Sequence, residues 1–497
     1  MRGITMEKRV KIGLYSAGLQ AYWPQFAGLK DRLMGYNQFI AERLAEYGEV
    51  FNFGMVDTAF AGRSAGEYFN EKNADIVFLH NATYCTSSCI LPVHQICKAP
   101  AVVLNLQPAP QMAYETTGTG EWLAQCTGCS VPEISNAFTR SGIPFRCVNG
   151  LLGLEASPQG AKADERSSHM PSAIRAWREI KEWVDAASVK RSLQYARFGF
   201  LGGNYSGMLD MYSDFALLSS RLGIHIELLE MCDLQERLKA VTEKETEKKL
   251  QTIHDFFEIS GDDSADPIAH RPTLDQLHWA ARVACAQERM VRDFALDALS
   301  YYYHGAEGND YEALQSGFIV GHSLLTAAGI PCAGEGDMKT CVAMKICDLL
   351  GRGGSFSEIV AMDYQTDTML VGHDGPFHIS ISEGKPMLRG VEIYHGKRGG
   401  GISVEAHVKA GEVTMLGVTQ TAQGLRMIVS EGKAMNLPIL RIGNTQTHVK
   451  FSKSLDDFMD EWFSKAPTHH FALSIGSNAS ILKKVADLLN IEILSIG

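Results

Sequence analysis

The sequence predicts an α/β fold: two doubly wound parallel α/β domains followed by a C-terminal antiparallel β-barrel-like domain. Three observations carry this. Apolar runs of strand length alternate with helix-length segments through the first part of the chain. Near residue 190 a new strand ends in a glycine-rich turn and the alternation restarts. Beyond residue 350 short β-rich runs separated by glycines take over. At 497 residues the chain exceeds one ordinary core. We place domains at 1–190, 191–330 and 331–497.

Taken in order, 10–15 is an apolar strand, and 34–47 carries Phe39, Ile40 and Leu44 at helical spacing. Residues 50–54, 74–80 and 101–106 are further strands, the second apolar enough to be covered on both faces. In a parallel βαβ domain ligands sit beyond the carboxyl ends of the strands. Gln20, His80, Asn81 and Gln107 stand there, either to meet a polar ligand or as capping and turn residues. Residues 150–162 mark a loop, and Ile174, Trp177, Ile180, Trp183 and Val184 then share one helix face. The strand at 197–201 runs into Gly202-Gly203-Asn204-Tyr205-Ser206-Gly207, which completes no nucleotide-binding fingerprint. Residues 241–250 read as a solvated helix face, 273–299 as one long amphipathic helix and 314–328 as another. After a helix at 339–350 come short strands at 358–362, 368–371, 391–394, 402–408, 412–417 and 425–430, as in a barrel or sandwich. A last αβ piece spans 482–493.

Composition narrows the function classes. The chain is 45% hydrophobic and 21% charged, with mean hydropathy −0.08, as in a globular protein. A net charge of −11 and a pI of about 5.8 argue against a nucleic-acid or anionic-membrane surface. No run approaches the roughly 20 apolar residues of a membrane helix. The basic start lacks the apolar stretch of a secretion signal. Eleven cysteines, scattered in apolar contexts, suit reduced thiols in a cytoplasm. Cys126-Thr127-Gly128-Cys129 is a lone pair without the second pair of a zinc ribbon, and reads as incidental.

The chemistry concentrates in 332–373. Glu335 lies between two glycines directly before a helix signalled by Asp337, where the helix N-terminus favours an ionised carboxylate. Glu358 lies in a strand with apolar neighbours, an unusual place for a charge unless it faces a polar cavity. His373 ends another strand at Gly372-His373-Asp374-Gly375-Pro376. Carboxylates suit Mg²⁺ and Mn²⁺, and imidazole moves the preference towards Mn²⁺. A helix cap, a surface pair and a turn residue are the structural alternatives. Helical zinc motifs and a serine-nucleophile elbow are absent. Residues 396–401 read as a hairpin tip before an anion site.

These residues resemble the superfamily of L-arabinose isomerase and L-fucose isomerase. Ala333-Gly334-Glu335-Gly336-Asp337, with Lys339 and Thr340, is similar to the arabinose isomerase stretch bearing the first metal-binding glutamate. Ser355-Phe356-Ser357-Glu358 resembles the segment with the second, and Leu370-Val371-Gly372-His373 the strand end with the first metal histidine. His469-His470 resembles the family's histidine pair, of which the second binds metal. Gln20, Leu79-His80 and 98–107 are similar to its N-terminal domain. Arg197-Phe198-Gly199 with Met208 is similar to a segment that reaches a neighbouring subunit's site. Departures are the absence of a histidine from 125–129, Met338 where a Trp is usual, a shorter 358–373 stretch and a different 202–207 turn.

The resemblance implies an aldose–ketose isomerase acting through an enediol. Glu335 and Glu358 would be catalytic, and Glu335, Glu358, His373 and His470 would hold Mn²⁺, with Mg²⁺ or Co²⁺ as substitutes. Gln20, Met208, Gln107 and His469 would contact the sugar. It further implies a cytoplasmic homo-oligomer, usually a hexamer, with sites at subunit interfaces and no nucleic-acid or membrane partner. L-Arabinose is the leading substrate, with L-fucose, D-arabinose and D-galactose as alternatives. A sugar-binding protein without catalysis is the reading of another class. NAD-dependent oxidoreduction fails for want of the glycine fingerprint.

Overall fold

Strands β1 (Lys11–Ala17), β2 (Glu49–Val56), β3 (Ile76–Asn81), β4 (Ala101–Gln107) and β5 (Phe145–Leu151) form a parallel sheet in the order β2-β1-β3-β4-β5. The computed structural model describes residues 9–155, 161–393 and 400–497 and divides into two units, Glu7–Arg191 and Ser192–Gly497. This sheet belongs to the first. β3 is central, and every residue in it is buried, as its unbroken apolar run requires. β5 lacks such a run, is only partly buried and lies at the edge, which is why periodicity passes it over. The helix Leu29–Ala45 buries Leu29, Leu33, Tyr36, Ile40 and Leu44, one face at a 3.6-residue period. It starts earlier than 34–47 because Gly28, at φ 79°, makes the entry turn.

The second unit opens with β6 (Arg197–Gly202) and β7 (His225–Leu229), passes two short strands, β8 (Glu258–Ile259) and β9 (Ala269–His270), and continues to β10 (Ala298–Tyr302) and β11 (Cys332–Ala333). Four of these make a parallel sheet in the order β11-β10-β6-β7. Two expectations change here. The segment 273–299 is a helix only over Leu274–Asp293, because Ala295 takes φ 52° and turns the chain into β10. The segment 314–328 divides into Asp310–Gln315 and Phe318–Ala327, parted at Gly317. The charged segment near 241–250 is part of a helix, Glu243–Phe256, begun by a Thr242/Glu245 capping box and burying Thr246 and Ile253.

The remaining strands are β12 (Ser355–Asp363), β13 (Thr368–His373), β14 (Met387–Val391), β15 (Gly401–Glu405), β16 (Gly411–Thr421), β17 (Gly424–Met435), β18 (Thr445–Lys450), β19 (Phe471–Ile475) and β20 (Glu492–Ile496). The order β16-β19-β12-β13-β18-β17, with β16 also paired to β17, closes a six-stranded antiparallel barrel. β20 lies parallel to β17 outside the ring. Closure removes the free strand edges that an open sheet would present. Met369, Val371, Val413, Met415, Ile428, Val449, Phe471 and Leu473 belong to its buried core. Residues 156–160 and the 396–399 part of the glycine-rich tip lie outside the described residues.

Candidate metal centre

Four chain segments meet at one rim of the barrel, and each brings one side chain. The first leaves β11 through Gly334 to Glu335, which adopts φ 61°. A non-glycine residue in the left-handed region costs on the order of 1–2 kcal/mol, so the surroundings must impose it. Gly336 N–H donates to the Tyr301 carbonyl at 3.0 Å, Tyr205 N–H to the Glu335 carbonyl at 3.0 Å, and Asn204 Nδ2 to the Gly336 carbonyl at 2.9 Å. Gly336 has φ 76°, and a side chain there would run into the Gly203 carbonyl and Asn204. The helix that follows, Met338–Leu349, is capped by Asp337, which accepts from Thr340 N–H at 3.0 Å. Glu335 is thereby left to face the cleft.

Glu358 lies on β12 opposite Gly372 of β13, and His373 follows as the last residue of that strand. Gly372 has no side chain because one would meet the Thr445 carbonyl of β18. His373 is buried and anchored by its backbone, N–H to Thr445 Oγ1 at 3.0 Å and C=O from the same hydroxyl at 3.0 Å. Its Nδ1 meets Asp374 Oδ1 at 3.0 Å and Gly375 N–H at 2.8 Å, an acceptor and a donor on one nitrogen. The tautomer therefore depends on what Nε2 meets. His470 immediately precedes β19; its Nδ1 lies 3.1 Å from Asp337 Oδ2, and both side chains are fully buried.

Asp337 is the second carboxylate of the Glu335 segment, and it fixes the His470 tautomer. Burial alone would raise its pKa, but His470, Lys339 and the Thr340 N–H hold it below the usual carboxylate value. An ionised Asp337 accepts a hydrogen bond from Nδ1–H and leaves the Nε2 lone pair of His470 towards Glu335, 3.6 Å from Oε2. Burial, aided by the charge of His373, keeps His470 below the ordinary histidine value despite Asp337 and Glu335. Its buried Nε2 has no hydrogen-bond partner among the described residues. His373 Nε2 stands 3.9 Å from Glu335 Oε1. Burial works against a charged His373, but Asp374, Glu335 and Glu358 outweigh it and raise its pKa. The Phe356 ring lies 4.6 Å from the His373 ring and 4.3 Å from that of His470, an apolar wall that limits their rotation.

Glu335, His373 and His470 offer ligand atoms all within 4.8 Å of one another. Glu358 belongs to a second such group with His469 and His470. Glu358 Oε2 is 2.6 Å from His469 Nε2. Burial pushes the Glu358 carboxyl up, yet His469, His373 and His470 hold it below the usual value. The hydrogen bond to Glu358 raises the pKa of His469 against its partial burial, with Asp210 and Glu335 adding to the effect. A buried acceptor nitrogen without a partner, beside a carboxylate and a second imidazole, fits a divalent cation. The cleft above has a volume of about 240 Å³ and is lined by Tyr205, Met208, Glu335, Glu358, His373, Asp374, Asn444 and His469.

The structure thus gathers Glu335, Glu358, His373, His469 and His470, with Met208 in the wall. Gln20 and Gln107 belong to the first unit. Gln20 is exposed in the turn Gln20–Tyr22, and Gln107 bonds Gln125 at 3.3 Å and Thr127 at 3.4 Å. His80 is buried, bonds Ser16 at 2.8 Å, and burial lowers its pKa to about 3. Asn81 donates to the Thr127 carbonyl. Cys126 and Cys129 are both free, with sulfurs 2.9 Å apart, and burial together with the neighbouring thiol pushes Cys126 up to about 12. Sequence reasoning missed Asp337 and Asp374 as histidine partners. The signal was present, since each sits within two residues of a proposed ligand. For Tyr205 and Asn444 no such signal exists.

Two family models match end to end. One described as the L-arabinose isomerase central domain covers residues 216–353, and one described as the L-arabinose isomerase C-terminal domain covers 353–492, together more than half of the chain. The chain belongs to the arabinose isomerase family. Among curated relatives of this arabinose isomerase family member, a sulfoquinovose isomerase from Alkalicoccus urumqiensis is 22% identical over 310 residues, 62% of this chain and 66% of that one. A sulfoquinovose isomerase from Priestia megaterium is 23% identical over 316 residues, with the same shares. An L-arabinose isomerase from Cellvibrio japonicus is 22% identical over 384 residues, 71% and 73% of the two chains. The chain spans just under two thirds of the length of the sulfoquinovose isomerases it matches.

Proposed function

We propose that the protein interconverts an open-chain aldose and its ketose at a divalent-metal site held by Glu335, Glu358, His373 and His470. The observation that carries this is the partnerless Nε2 of His470, set beside Glu335 and His373 by the Asp337 hydrogen bond. Family membership and the isomerase names of the relatives support it. Mn²⁺ suits the mixed carboxylate and imidazole set, with Mg²⁺ or Co²⁺ as substitutes. Such a cation supplies Lewis-acid polarisation of the sugar carbonyl.

The chain's own groups handle the protons. Glu358, kept ionised, takes the proton from the carbon beside the carbonyl, exchanges it with solvent and delivers a proton to the former carbonyl carbon. His469 steadies that carboxylate through the 2.6 Å hydrogen bond. Glu335 accepts the proton that moves between the two oxygens. The net change is one hydrogen from C2 to C1 and one from O2 to O1, so no redox partner is needed. Tyr205, Met208 and Asn444 bound the space above.

L-Arabinose to L-ribulose is the leading conversion, with L-fucose, D-arabinose and D-galactose as alternatives. Among the described residues lining the cleft there are three carboxylates and no lysine or arginine, which supports a neutral sugar over a sulfonated one. Gln20 and Gln107 remain proposed sugar contacts, with Met208 and His469. We further take the chain as three domains, 1–190, 191–330 and 331–497, with the first two doubly wound, assembling as a hexamer in the cytoplasm. A panel of aldoses with Mn²⁺, run with and without chelator, tests the reading. Metal-dependent ketose from one of them is expected. No ketose from any, with tight sugar binding retained, leaves a binding protein instead.

A further inference from the structure

Lys339 is the least expected charge in the second unit. It lies in the first turn of the helix Met338–Leu349 and is 1% exposed. The helix N-terminus already carries partial positive charge, so a cation belongs at the other end. Burial lowers the lysine's pKa, countered by the charges of Asp337 and Asp210. A residue that is costly in its own element is held there by its partners. Its Nζ donates to Ser213 Oγ at 3.2 Å and lies 3.9 Å from Asp337 Oδ1.

Both carboxylates lead to the histidine pair. Asp337 bonds His470 Nδ1 at 3.1 Å. Asp210 Oδ2 accepts His469 N–H at 2.7 Å and the Thr468 hydroxyl at 3.4 Å. Asp210 sits in the turn Leu209–Met211, in the segment 203–213 that begins with Asn204 on the Gly336 carbonyl and Tyr205 on the Glu335 carbonyl and ends with Ser213 on Lys339. The segment is pinned at three places to the elements that carry the site, and it brings Tyr205 and Met208 to the cleft.

We infer that Lys339 and Asp210 are positioning residues acting as one unit: they fix the 203–213 segment and the His469 backbone so that the His469 ring stays on Glu358. The inference rests on the isomerase reading for its kinetic consequence, but its structural consequence stands alone. Supporting contacts of this kind are typically worth about 10–100-fold. Lys339→Met and Asp210→Ala should each lower kcat within that range and change KM little. The double variant should be no slower than the slower single, because both remove the same restraint. Lys345→Met is the control: it is a buried lysine of the same helix, bonded to the Gly329 carbonyl at 2.8 Å, and should keep wild-type kcat. Asp210 is exposed, so Asp210→Ala is expected to fold even if Lys339→Met does not. Crystal structures of the wild type and Asp210→Ala supply the readout that needs no substrate, with His469 Nε2 withdrawn from Glu358 in the variant. Wild-type kcat in both singles, multiplying losses in the double, or an unmoved His469–Glu358 bond in Asp210→Ala would each overturn the inference. Absence of turnover in the wild type would count against the isomerase reading, and the crystal structures would then decide this one.

Discussion

The groups at the barrel rim and those at the carboxyl edge of the first unit's sheet both sit at strand ends, yet they differ in kind. At the rim, carboxylates and imidazoles answer one another, Glu358 with His469, Asp337 with His470 and Asp374 with His373. At the sheet edge the pairs are amides and hydroxyls, Asn105 with Asn149, Gln107 with Gln125, Thr127 with Gln107 and Asn105, and a carboxylate enters only where Glu121 accepts from Gln125. Charged groups in mutual contact set each other's protonation and can move protons. Amides and hydroxyls cannot, but they can discriminate among sugar hydroxyls. The comparison marks the rim, and not the edge, as the place where protons can move.

The sharpest way to break it is at the rim. Glu358→Gln and Glu335→Gln should each lower kcat by about 10²–10⁴-fold while leaving the melting temperature nearly unchanged. Steady-state kinetics with the best aldose check this, and near-wild-type turnover in either would remove that carboxylate from the mechanism. Next comes Asp337→Asn, which keeps an oxygen near the helix N-terminus but removes the charge that orients His470. Affinity for Mn²⁺, read by titration calorimetry, should fall about 10–100-fold; an unchanged affinity would mean that His470 does not need the carboxylate.

Imidazoles away from the rim give a third test. Burial lowers His80, His94 and His322 to about 3. Each is neutral when folded, whereas the unfolded chain protonates it near pH 6.5. Their stabilising contribution is present above that pH and is lost as pH falls towards 3. One unit below 6.5 the loss is about 1.4 kcal/mol for each. Urea midpoints should therefore fall between pH 6.5 and 5.5, and a flat profile would show these rings to be solvated. The smallest effect belongs to the sheet edge. Gln107→Ala should raise KM by about fivefold, the worth of one hydrogen bond of about 1 kcal/mol, with kcat unaffected. A kcat loss without a KM change would move the edge into the chemistry and erase the contrast.

Much of this was legible in the sequence, for physical reasons that also explain the failures. β1, β3 and β4 are apolar runs that only a covered strand can bury, and they stand where periodicity put them. β10 was hidden because no glycine or proline marks the break before it; the turn rests on Ala295 at φ 52°. β18 was hidden because Thr445-Gln446-Thr447-His448 reads as polar, although all four residues are buried in the barrel wall. Its hydroxyls serve the backbone of β13 and of Val408 rather than solvent. Small or apolar neighbours made Glu335, Glu358 and His373 stand out locally, whereas naming them as one set with His470 rested on the family resemblance. Asp210 could not be named, since its partner is the backbone of a residue 259 positions away.

The most direct test of the central claim is isotopic. L-Ribulose, or the ketose of whichever aldose proves best, is incubated in D₂O with the Mn²⁺-loaded protein and the aldose is analysed by NMR. Deuterium at C2 of the aldose is expected for the wild type, and almost no aldose for Glu358→Gln. Aldose formed with C2 wholly protiated, or formed equally well by Glu358→Gln, would contradict proton transfer at this carboxylate.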